Sequence, residues 1–140
     1  MFDEPAARLA AAIRDSGVPA IARAVGACFT GALEVALHCD FVYTTDSTKF
    51  GDTHTKFVLR PTWGMSQTLS RAVGQRRARE LSFTARIFTG AQAVEWGVAN
   101  ASFETPEALD DALASTCAQI ADNSAEAVAA MKDLYRLAET

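Results

Sequence analysis

Apolar and polar positions alternate between helical and extended periods along this chain, and the switches fall at glycine, proline and asparagine. Leu9 and Ile13 stand four apart among alanines, with Asp3 as a cap and Glu4-Pro5 suited to a first turn, so residues 3–16 are predicted to be helical. Ser16-Gly17 ends that helix, and Pro19 opens a short extended run over residues 20–25 that stops at Gly26. Residues 31–38 read as a short helix. Residues 40–44, rich in aromatic and β-branched side chains, read as a strand, and residues 48–50 as a further short strand closed by Gly51-Asp52. Residues 53–63 carry no period, with Pro61 as a breaker. Helical pattern returns over 64–73 and 76–84, separated by Gly74-Gln75.

The later part of the chain is punctuated more clearly. Thr89 and Gln92 have the spacing of a capping box, and Gly97 is placed to end the helix they open. Residues 98–103 read as a strand. Thr105-Pro106 starts a long helix whose buried stripe is predicted to be Leu109, Leu113, Thr116, Cys117 and Ile120. Asn123-Ser124 breaks it, and Val128, Met131, Tyr135 and Ala138 form the stripe of a last helix. The order of elements is that of a mixed α/β chain.

Composition narrows the class. A length of 140 residues with 49% hydrophobic and 21% charged positions suits about one folded domain rather than a disordered chain. A net charge of −4 argues against nucleic-acid binding through a basic surface, and no apolar run is long enough to span a membrane. Cys28, Cys39 and Cys117 have neither zinc-ligand nor redox spacing and read as buried small hydrophobes in a reducing compartment. The first residues lack the basic and apolar regions of a signal peptide, so a cytoplasmic location is the expectation.

Three residues carry the candidate chemistry. Glu34 interrupts the apolar run Ala32-Leu33-Glu34-Val35-Ala36-Leu37, either on an exposed stripe or in a partly dry pocket where a carboxylate becomes a usable acid or base. Gly31 opens the same helix. It is either a turn glycine or a place where a ligand oxygen approaches free N–H groups at the positive end of a helix dipole. His54 is either a surface residue or a proton carrier near neutral pH. His38 reads as structural. Ser66 and Ser70 have no histidine at a hydrolase spacing, and no phosphate-loop or dinucleotide glycine motif occurs.

From Pro19 to Gly97 the chain resembles the crotonase superfamily, the enoyl-CoA hydratases and isomerases. The resemblance is carried in order by Pro19–Gly26, Thr30-Gly31-Ala32-Leu33-Glu34 through Cys39-Asp40, Lys49-Phe50-Gly51, Pro61-Thr62-Trp63-Gly64, Arg71-Ala72-Val73-Gly74 and Phe88-Thr89-Gly90-Ala91-Gln92 through Asn100. It implies an α/β fold of ββα turns wound into a spiral, with residues 1–104 as a partial core and 105–140 as a helical segment for assembly. It also implies an acyl-CoA thioester as substrate, coenzyme A as part of that substrate with no separate cofactor or metal, and a homo-oligomer, trimer or hexamer. By the same resemblance Gly31 N–H is one oxyanion donor and Glu34 one of two acid/base groups. The resemblance also implies that Trp63 and Gly64 line the acyl pocket.

The chain departs from the family pattern at three points. His54 stands where the second glutamate is expected, within Asp52-Thr53-His54. The glycine run is thinned to Thr30-Gly31-Ala32. The family pattern extends beyond these 140 residues at both ends, so the other oxyanion donor is expected outside them. The implied activity is hydration of a trans-2-enoyl-CoA through an enolate. Its alternatives are a different crotonase reaction (isomerase, thioesterase, decarboxylase) and a truncated remnant that assembles without turnover.

Overall fold

The computed structural model describes residues 3–57 and 64–139. Helix α1 (Asp3–Asp15) leads into β1 (Ile21–Ala24), β2 (Ala27–Phe29) and α2 (Gly31–His38). The next turn repeats that order with β3 (Phe41–Thr45), β4 (Lys49–Gly51), α3 (Met65–Val73) and α4 (Gln75–Thr84). Then come β5 (Phe88–Thr89), α5 (Gly90–Trp96), β6 (Ala101–Phe103), α6 (Pro106–Ala121) and α7 (Ala125–Ala138). The first four strands alternate between two small sheets. One sheet runs β1-β3-β6, all parallel; the other runs β2-β4-β5, parallel and then antiparallel. This is the expected ββα spiral.

The core lies between the sheets and helices α2–α5. Leu33, Phe50, Leu81 and Ala93 are fully buried, with Met65, Leu69 and Phe88 nearly so. Each large apolar side chain buried this way contributes roughly 1.5–3 kcal/mol. Phe50 and Phe88 are register partners on β4 and β5, and their rings stack at 5.4 Å. Trp96 tilts against Phe88 and carries the Arg77 guanidinium 4.3 Å above its ring. A layer of buried threonines ties the sheets together: Thr44 and Thr48 both donate to Ala24 O, and Thr45 bonds Thr48 at 2.6 Å.

Local signals explain most boundaries. The Thr89–Gln92 capping box forms with both of its hydrogen bonds, and Gly97 (φ 94°) closes α5 in the left-handed region. Thr105 caps α6 ahead of Pro106, and Ser124 caps α7. Strands β2 and β5, three and two residues long, were not expected. Both are too short for a period to appear. The strand predicted over 98–103 begins only at Ala101. Before it, the Val98 and Ala99 amides both turn back to Ala93 O, and Asn100 closes the ladder from outside: its amide donates to Val42 O and its side chain accepts from Val42 N.

The last two helices differ from expectation in burial. On α6 only Leu109 is fully buried, and Cys117 is exposed. Leu113, Thr116 and Ile120 are half-buried, with the Thr116 hydroxyl bonded to Tyr43 OH at 2.8 Å. On α7 no described residue is buried; Val128 is half-covered, and Met131 and Tyr135 are exposed. The three cysteines therefore do not share one environment. Cys28 is buried, Cys39 intermediate and Cys117 exposed. The periodicity of both helices is real, but the α6 stripe is only partly covered, against β3 and β6, and most of the α7 stripe faces outward.

Candidate active site

Two tight turns build the start of α2. Gly26 takes φ +88° between β1 and β2, and Thr30 takes φ 52° and ψ −105° between β2 and α2. A β-branched residue in that region is strained, at roughly 1–3 kcal/mol, and persists only where neighbours hold it. Here three hydrogen bonds do so. Thr30 N donates to Gly51 O at 2.9 Å, Thr53 N donates to Thr30 Oγ1 at 3.3 Å, and the Thr30 and Thr53 hydroxyls bond each other. The result fixes the N-terminus of α2 against the segment that follows β4. The first amides of any helix, here beginning at Gly31, have no partner within it and carry the positive end of the dipole.

Glu34 sits one turn into α2 and is 2% exposed, so the dry-pocket alternative holds. Its Oε1 lies 3.0 Å from His54 Nε2. His54, the loop histidine of the sequence, is 7% exposed rather than a surface residue. Its Nδ1 lies 2.5 Å from Asp52 Oδ1, and that oxygen also accepts the His54 amide at 3.2 Å. The other Asp52 oxygen accepts from Ser82 Oγ at 2.6 Å, and Asp52 itself is 2% exposed. An imidazole bracketed by two buried carboxylates is a device for holding and passing a proton.

His38 lies on the same face of α2 one turn beyond Glu34. Gly64, at the start of α3 with φ +89°, faces it: a Cβ there would come 3.5 Å from the His38 ring. His38 and Gly64 line a cleft of about 520 Å³ between α1 and α3, together with Met65, Gln67 and Arg71. Trp63 lies outside the described residues. Glu34 and His54 thus meet in the Gly31 half of α2, whereas Gly64 lies beside His38 at the other end of that helix, in the cleft between α1 and α3.

The Glu34–His54–Asp52 cluster offers acid/base chemistry. Burial pushes the Cys28 thiol up to about 11, so it stays protonated and unreactive. Among the described residues no group of three His, Cys, Asp or Glu side chains has a metal-holding arrangement. Asp52 and Ser82 were not anticipated. The Asp-x-His spacing, with a carboxylate two residues before the imidazole, was a readable signal for Asp52. Ser82 comes from another helix and gave none.

A family model described as enoyl-CoA hydratase/isomerase matches residues 1–139. The chain belongs to the enoyl-CoA hydratase/isomerase family. A probable peroxisomal enoyl-CoA hydratase of Arabidopsis thaliana is 40% identical over 94 residues, which are 67% of this chain and 36% of that protein. A probable enoyl-CoA hydratase of Mycobacterium bovis is 33% identical over 115 residues, 82% of this chain and 44% of that protein. The chain thus spans less than half the length of either relative. Among solved structures, an enoyl-CoA hydratase of Mycobacterium paratuberculosis superposes with a TM-score of 0.77 at 34% identity, over 81% of this chain and 51% of that one. A methylmalonyl-CoA decarboxylase complexed with 2S-carboxypropyl CoA shares the fold over 99% of this chain and 53% of that one, with a TM-score of 0.92 at 24% identity. Among the described residues of this family member, no helix is long and apolar enough to cross a membrane.

Proposed function

We propose that this chain acts on an acyl-CoA thioester and adds water to a trans-2-enoyl-CoA. The observation that carries the reading is the buried Glu34–His54 contact of 3.0 Å, held one turn from the Gly31 end of α2. The Gly31 amide would donate to the thioester carbonyl oxygen, where negative charge develops as the enolate forms. Glu34 would take a proton from water as the water oxygen bonds to C3. His54 would deliver a proton to C2, and the thioester carbonyl would reform. The excluded water and fixed dipoles around the two groups strengthen each of these interactions. Coenzyme A enters as part of the substrate. The exposed apolar residues of α7, Met131, Leu134, Tyr135 and Leu137, suit a homo-oligomer.

One feature supports a second reaction of the same family. Glu34 and His54 touch each other directly, so a proton can pass between them. Such a pair suits double-bond isomerisation, in which a proton leaves one carbon and returns to another. The test is a pair of assays on the purified chain, with Glu34→Gln and His54→Gln in parallel. Loss of the conjugated absorbance of a trans-2-enoyl-CoA establishes hydration; gain of that absorbance from a 3-enoyl-CoA establishes isomerisation. A folded chain that binds a CoA thioester and does neither is the remnant that the family resemblance left open.

A further inference from the structure

We propose that Asp52, backed by Ser82, is a positioning residue that keeps one proton on His54 Nδ1 and thereby makes Nε2 the atom that exchanges protons with Glu34. The inference rests on the reading of Glu34 and His54 as the acid/base pair. An imidazole with one proton has two tautomers, and the hydrogen bond made by one ring nitrogen decides the role of the other. Nothing in the ring itself makes Nε2 the basic atom.

The geometry around Asp52 makes that choice. An ionised carboxylate only accepts, so opposite an ionised Asp52 the contact of 2.5 Å to Oδ1 is made by a proton on Nδ1. The same oxygen accepts the His54 amide, so ring and backbone are gripped together and rotation about the side chain is opposed. Oδ2 is held by Ser82 Oγ at 2.6 Å, which stops the carboxylate from turning away from the ring. Ser82 is itself fixed at both ends: it lies on α4, and its carbonyl accepts from Thr55 Oγ1 at 2.8 Å. The short segment between β4 and residue 57 is thus pinned to α4 on either side of His54. With Nδ1 committed, Nε2 is left facing Glu34 Oε1.

A structural role for Asp52, as the acceptor that shapes the turn at 52–54, would leave the tautomer unspecified, and this separates the two roles. The chain has only two histidines, His38 and His54, so ring resonances are assignable by their loss in His54→Asn. Long-range proton–nitrogen correlation spectra, followed into the alkaline range, are expected to show His54 keeping its last proton on Nδ1. That proton is expected at low field and slow to exchange with water. In Ser82→Ala it should exchange at least several-fold faster, and Ser82→Thr, which restores the hydroxyl, should recover it. In Asp52→Ala the tautomer should shift to Nε2–H.

The proposal is overturned if wild-type His54 retains its last proton on Nε2, or if Ser82→Ala leaves the Nδ1 proton unchanged. The Ser82 pair decides the question even where Asp52→Ala fails to fold. If the chain turns over an enoyl-CoA, Ser82→Ala should lower kcat with KM unchanged, whereas a purely structural residue would lower Tm and leave the tautomer alone. Absence of turnover in the wild type would count against the hydratase reading and leave the spectroscopic outcome to stand by itself.

Discussion

Replacing Lys132 by methionine is expected to release α7 without unfolding the rest of the molecule. The α7 helix has no buried residue among those described, so its apolar face does not anchor it. Lys132 does: its side chain is 8% exposed, and Nζ donates to Ile13 O at 2.8 Å and Val18 O at 2.7 Å and pairs with Asp40 Oδ2 at 2.9 Å. All three ammonium protons are therefore used, on acceptors from three separate segments. Hydrogen bonds to a charged group are worth about 1.5–3 kcal/mol each, but they are not additive here because Asp40 is 31% exposed and water replaces part of its loss. Breaking a well-buried pair costs about 3–5 kcal/mol, and the lower end fits this partly wet site.

Methionine keeps the stem and removes only the donors, so the loss is one of polar anchoring. About 3 kcal/mol corresponds to a change of roughly 100-fold in the opening equilibrium. An undocked helix of this length is marginal in water, so it should melt once released. Hydrogen exchange read by peptide is the assay. Amides of residues 125–138 should lose roughly 100-fold in protection, while those of β3 keep theirs. Unchanged protection in 125–138 would show that Val128 together with the Arg136–Asp15 and Arg14–Glu139 pairs, not the ammonium, holds the helix. Equal loss in β3 would show that Lys132 belongs to the global cooperative unit. Either result refutes the reasoning.

Further outcomes follow from the same geometry. Glu34→Gln keeps the shape of the side chain but cannot carry a proton, so turnover of an enoyl-CoA should fall about 10²- to 10⁴-fold with little change in Tm. At Gly90 a Cβ would lie 1.9 Å from Thr45 O, so Gly90→Ala must displace backbone and should lower stability by at least about 3 kcal/mol in denaturant titration. Cys117, exposed, should react with iodoacetamide first, and Cys28, whose thiol burial pushes up to about 11, should react last or only on unfolding. The Arg23 guanidinium holds the Asp110 carboxyl below its ordinary value. Its small stabilisation should be complete above the ordinary carboxylate range and disappear as pH falls through the lowered value, a slope that Asp110→Asn removes.

The local rules read well wherever a boundary has its own chemistry. Thr89, Gln92, Gly97, Thr105 and Pro106 act through neighbours in sequence, and each did what its residue type requires. The apolar run around Glu34 likewise gave α2 residue for residue. What stayed hidden depends on distant partners. Strand β2 exists because Lys49–Gly51 lies beside it, and β5 because Phe50 meets Phe88. The burial of His54 is set by Glu34 and Asp52 closing on the ring from both sides, which an irregular segment does not announce. The outward stripe on α7 shows the reverse case: periodicity reports an amphipathic helix but not whether a partner covers it.

The arrangement of the β1-β3-β6 sheet also sets an order of events in folding. Central β3 pairs on one side with a strand about twenty residues earlier and on the other with one nearly sixty residues later. Closing the shorter loop loses less chain entropy, so the unit from β1 through α2 to β3 is expected to form first. That unit already contains Glu34, whereas the β3–β6 pairing closes a longer loop that holds His54 and Ser82. The buried Glu34–His54 contact therefore joins residues from two different turns of the chain. Substitutions near Ala22 or Val42 should slow folding, whereas those around Ser102 should chiefly speed unfolding.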